Sequence, residues 1–200
     1  MRIKTCTGLI EKVLMQASLM TLAACITLAM GMKGTATQQQ DPDTDREIAR
    51  LLKIIRNEQL RTADPEKVGA AIATLGELRA TVAVDDLIKL ITFRQTFPQD
   101  NEPNGIINEF RTITRDGRYP AVGSLFEIGE PSLLPLVKVI ADYDPKSLES
   151  ENALHAVMLI FRDEPQAGVQ YLKDAAEKSS TPLTKQRLLT AAERAKGPPL

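Results

Sequence analysis

Thr74-Leu-Gly-Glu-Leu-Arg-Ala-Thr-Val-Ala-Val-Asp-Asp-Leu-Ile-Lys-Leu-Ile91 is the stretch whose reading decides the fold. Apolar residues recur at three- and four-residue steps on both sides of Arg79-Ala80, the period of an amphipathic helix and not the alternation of a strand. The segment therefore predicts the end of one helix, a turn of a few residues, and the start of a second helix lying antiparallel to it. Similar patterns return at Ser124 to Ile140 and, more loosely, at Phe161 to Lys173. A lone helical hairpin cannot cover its apolar face, so repeated hairpins stack side by side and share one core.

Outward from this segment, helices are expected over 46–60, 65–79, 82–96, 119–128, from Pro131 to about Ile140, and over 147–161, 164–178 and 182–196. The inward faces carry Ile48, Leu51, Leu52 and Ile55; Val68, Ala71, Ile72, Leu75 and Leu78; Val84, Leu87, Ile88 and Ile91; Val122, Leu125 and Phe126; Leu133, Leu136, Val137 and Ile140; Leu154, Val157, Met158 and Phe161; Val169, Leu172 and Ala176. Asp64-Pro65, Glu164-Pro165 and Thr181-Pro182 read as helix starts, with proline at the first position where its missing N–H is harmless. Gly129 suits a helix-ending turn. Residues 37–45 read as a polar spacer, with Thr44 or Asp45 capping the first helix. The Asp41, Asp43, Asp45 alternation lacks the central glycine and closing glutamate of a calcium loop, so it is read as capping chemistry. Residues 97–117, with Pro98, Pro103, Asn104 and Gly105, form an inserted loop. Ile106, Ile107, Phe110 and Ile113 favour one short helix inside it, with an extended Arg111-Thr-Ile-Thr114 as the alternative.

The helical units resemble a known family. Thr74-Leu-Gly-Glu-Leu followed by Ala83-Val-x-x-Leu-Ile-Lys-Leu-Ile91 is similar to the short HEAT repeat of bilin-lyase-like HEAT proteins. Leu125-Phe-Glu-Ile-Gly-Glu-Pro131 with Leu136-Val-Lys-Val-Ile140 repeats it one residue shorter in the turn. Phe161-Arg-Asp-Glu-Pro165 with Tyr171-Leu-Lys173 lacks the Leu-Gly signature. In this alignment Leu87, Leu136 and Tyr171 are equivalent. The resemblance implies an all-α fold over 46–197, a right-handed α-solenoid of about three stacked antiparallel helix pairs (HEAT- or armadillo-like). It says little about chemistry, since one fold hosts many functions.

The first 36 residues read as an export segment. Arg2, Lys4 and Lys12 precede the apolar run Val13 to Met32, and Gly34-Thr-Ala36 supplies the small residues a signal peptidase reads. Three fates stay open: cleavage after Ala36, lipidation of Cys25 in the lipobox-like Leu22-Ala-Ala-Cys25, or retention of the run as a membrane anchor. The expected location is periplasmic or extracellular, with the membrane touched only through this segment.

The totals bound the function. With 43% hydrophobic and 26% charged residues the chain is a globular mixture, and with 4% aromatics its core is packed from aliphatic helix formers. The net charge is −1, and the leader's excess of lysine and arginine leaves the body acidic, without the basic patch that nucleic acid requires. Both cysteines, Cys6 and Cys25, lie in the leader, so the body has no thiol chemistry. His155 is the single histidine and cannot by itself build a multi-histidine metal site. No dinucleotide, Walker or HExxH motif is present. Neither a catalytic centre nor a cofactor is expected. The remaining reading is a non-enzymatic scaffold or adaptor for another protein. Lys89, Lys138 and Lys173, each two residues past an aligned core position, form a candidate ladder for an acidic partner segment. An enzyme of the bilin-lyase kind, by analogy, and a structural subunit of an envelope complex are the alternatives.

Overall fold

The computed structural model describes residues 41–95 and 115–197, and among these it is entirely helical, with no strand. The expected export segment with Cys25, and residues 97–114 with their expected short helix, lie outside the described residues. No described helix is long and apolar enough to cross a membrane.

The first helix, α1, spans Pro42–Arg56, so residues 41–45 are not spacer. Asp41 is the cap: its carboxylate accepts the N–H of Asp43 at 3.2 Å, and Pro42 takes the first helical position. This is the Asp-Pro start also present at Asp64-Pro65. It is inconspicuous in the sequence because the buried stripe begins only at Ile48, more than a turn later. Asp43 and Asp45 in the first turn and Lys53 and Arg56 in the last complement the helix dipole. The helix stops at Asn57 instead of running to Leu60. The Asn57 side chain accepts the N–H groups of Gln59 (3.0 Å) and Leu60 (3.2 Å) and thereby starts a separate short helix, α2 (Glu58–Ala63).

Helix α3 (Pro65–Glu77) is capped by Asp64, which accepts from Lys67 N–H at 3.1 Å. It closes with Ala80 N–H on Leu75 O (3.0 Å) and Arg79 N–H on Gly76 O (2.8 Å), the paired bonds that end a helix through a left-handed residue. Here that residue is Arg79, at φ 48°. A 3-10 turn (Thr81–Ala83) leads into α4, Val84–Lys89, which is far shorter than the expected 82–96. It closes in three-residue turns, with Leu90 N–H on Leu87 O (3.0 Å) and Ile91 N–H on Ile88 O (3.2 Å), and tertiary partners hold the chain beyond. Asn152 Nδ2 donates to Ile91 O at 2.8 Å, and Gln95 N–H goes to Arg118 O at 3.0 Å instead of back to Ile91.

After the short α5 (Arg115–Arg118), which places the end of the expected loop in a helix, come α6 (Pro120–Ile128) and α7 (Leu133–Asp142). They are joined by Gly129 and a 3-10 turn, Glu130–Ser132. Gly129 has φ +80° and ψ −135°, a conformation that only glycine adopts without strain. Helices α8 (Leu148–Ile160), α9 (Pro165–Lys178) and α10 (Pro182–Arg194) complete the chain. Ser147 caps α8 and Thr181 caps α10.

The helices share one core. Helix α1 packs on α3, α3 on α6 and α6 on α8; α4 packs on α6 and α7; α7 packs on α8 and α10, and α10 on α9. Ile72, Leu75, Leu87, Leu125, Leu136, Ile140, Leu154, Leu172 and Leu188 are buried in it. Leu52, Leu78, Ile88, Phe126, Met158 and Phe161, expected inside, are half-buried at its margin.

Specific polar contacts fix how neighbouring helices meet. Ser124 Oγ lies 2.8 Å from Ile72 O, where α6 crosses α3 over Gly76. Arg56 grips Asp86 through Nη2 (2.7 Å) and Nε (3.1 Å), joining α1 to α4, and that contact raises the guanidinium's pKa further. From α10, Arg187 donates to the last carbonyls of α7, Ala141 O at 3.0 Å and Asp142 O at 2.7 Å. Arg194 donates to Pro145 O and, at 3.1 Å, to Glu151 of α8. Arg187 thereby satisfies carbonyls that a helix terminus leaves without intrahelical partners, and Arg194 ties α10 to the turn before α8.

Candidate functional site

Two adjoining grooves lie on the side formed by α4, α7 and α9. A groove of about 630 Å³ lies between α7 and α9, with Leu188 and Thr184 of α10 also lining it. A second, of about 430 Å³, lies between α4 and α7 and reaches Tyr143 and Glu149. Asp85, Pro135 and Lys138 border both, so the two form adjoining parts of one furrow.

The register of the three helices explains what points into it. Leu87 and Ile91, Leu136 and Ile140, and Leu172 and Ala176 are buried pairs four residues apart. The third core position is thus Leu172, one residue later than the alignment on Tyr171 implies; Tyr171 itself is only half-buried. Two residues past each core position stand Lys89, Lys138 and Asp174. Lys89 lines the α4–α7 groove, Asp174 the α7–α9 groove, and Lys138 both.

The three candidate lysines therefore do not line up. Lys89 and Lys138 are brought to the same groove. Lys173 is half-buried, lines neither groove, and lies near enough to Glu193 of α10 to help hold that carboxyl below its usual range, behind the larger effect of Lys196. One residue of register moves a helical side chain by about 100°, which is enough to carry Lys173 off the furrow.

Electrostatically the furrow is a mosaic. Each helix contributes opposite charges four residues apart: Asp85 and Lys89, Lys138 and Asp142, Asp174 and Lys178. Lys89 sits 3.8 Å from Asp86, whose other oxygen is held by Arg56. Asp174 accepts a 2.6 Å hydrogen bond from Gln170. With Glu149 included, acids slightly outnumber bases, so the lysines do not create the positive field that would draw an acidic segment.

The apolar part was not legible as a site. Leu134, 74% exposed, borders the groove with Tyr171 and Leu188. Its signal was present: Leu133, Leu136, Val137 and Ile140 complete the buried stripe of α7, leaving Leu134 off it. Burial pushes the Tyr171 phenol above its ordinary value, and the charge of Glu130 adds to this.

His155 is half-buried in α8 and lines neither groove. Among the described residues, no three of His, Cys, Asp or Glu are grouped so as to hold a metal ion. Compared with models of protein families, with curated proteins and with solved structures, the chain matches none.

Proposed function

We propose that the chain is an exported, non-enzymatic binding module whose helix pairs stack as a short α-solenoid and hold a segment of another protein along the α4–α7–α9 furrow. The stacking is supported by the order of helix contacts and by the recurring Leu87, Leu136 and Leu172 core positions. Export is supported by the leader's succession of basic, apolar and small residues.

The observation that carries the binding reading is Leu134. A leucine three-quarters exposed beside a groove, flanked by Lys138 and Asp174, has the makeup of an apolar anchor point inside a charged rim. Lys138 has no ion-pair partner among the described residues. The segment that fits carries a bulky apolar side chain and charges of both signs, in contrast to the acidic segment expected from three aligned lysines.

Photocrosslinking tests this in the native cell. A benzophenone amino acid at position 134 should yield a discrete protein adduct, identified by mass spectrometry. The same group at Arg46, exposed on α1, a helix that lines neither groove, should not. No adduct at 134, or the same adducts from both positions, would reject the furrow as the binding surface.

A further inference from the structure

We draw no further inference here: the strongest candidate, the trough between α3 and α6 floored by Gly69, Ala73 and Gly123 and rimmed by Glu66, Glu77 and Glu127, is an acidic cluster over a stripe of small residues, and nothing else in the structure points to a ligand there.

Discussion

Replacing Gly76 with alanine tests the close approach of α3 and α6. A Cβ at this position would stand 2.6 Å from Ser124 Cα, 2.8 Å from Ser124 Cβ and 3.0 Å from Ser124 Oγ. Ordinary carbon contacts begin near 3.4 Å, so α3 and α6 must separate by about 0.8 Å, and the nearest obstacle is backbone that cannot rotate away. Overpacking of this kind costs about 1–3 kcal/mol. The same displacement stretches the 2.8 Å Ser124 Oγ contact with Ile72 O beyond hydrogen-bond reach. Oγ keeps Pro120 O at 3.0 Å, which limits that loss to roughly 0.5 kcal/mol. Against these stands the gain of about 1 kcal/mol for alanine over glycine within a helix. The net expectation is a destabilisation of roughly 0.5–2.5 kcal/mol. At about 2–4 °C per kcal/mol for a domain of this size, thermal melting followed by circular dichroism at 222 nm resolves most of that range. Urea titration should show a lower midpoint at unchanged slope. A variant about 1 kcal/mol more stable than the parent would mean that Gly76 lies on an open helix face, and the α3–α6 contact would be wrong.

Other expectations rest on the same packing. Leu136→Ala should cost about 2–5 kcal/mol, because the side chain is fully buried, whereas Lys138→Ala should stay within about 0.5 kcal/mol; equal losses on denaturant titration would show that the inner and outer faces of α7 are misassigned. Asn152→Ala should cost about 1–3 kcal/mol by leaving Ile91 O without its side-chain donor, and should speed amide exchange around residues 91–95; wild-type stability would show that this bond does not hold the chain after α4. Arg79→Gly should stabilise by about 0.5–1 kcal/mol, since a left-handed residue is cheaper as glycine even after its greater freedom in the unfolded chain is counted. A lower melting temperature for that variant would point to a structural role for the arginine side chain. Intact mass of the protein purified from its native cell should show loss of residues 1–36; a lipid-modified Cys25 or a full-length chain would each replace that expectation.

Much of the helix pattern could be read directly because its determinants are local. Proline after a capping side chain marks the starts of α3 and α10, proline alone marks that of α9, and the three-and-four spacing of Leu, Ile and Val marks the buried stripes. Some helix ends escape the apolar pattern: α4 closes in three-residue turns at Leu90 and Ile91, and the path beyond is held by Asn152, 61 residues away, through the Ile91 carbonyl. The start of α1 was missed for a different reason: Asp41-Pro42 carries a local signal, but no apolar residue faces the core until Ile48.

The candidate site divides in the same way. Lys89 and Lys138 were found because each comes two positions after an unmistakable core leucine. In the third unit Tyr171 and Leu172 adjoin, and both are apolar enough to serve as the core position. Only packing chooses between them, burying Leu172 and bringing Asp174, not Lys173, to the furrow.

Sequence alone determined that the body is helical, which faces of its helices are apolar, and that residues 13–32 form an apolar run unlike the helices that follow. These properties depend on the order of side chains within a few turns of one helix. Tertiary structure decided where helices stop, which residue of an adjacent apolar pair enters the core, and which charges share a surface. Those outcomes depend on groups dozens of residues apart, and a one-residue change of register rotates a side chain by about 100° between core, flank and groove.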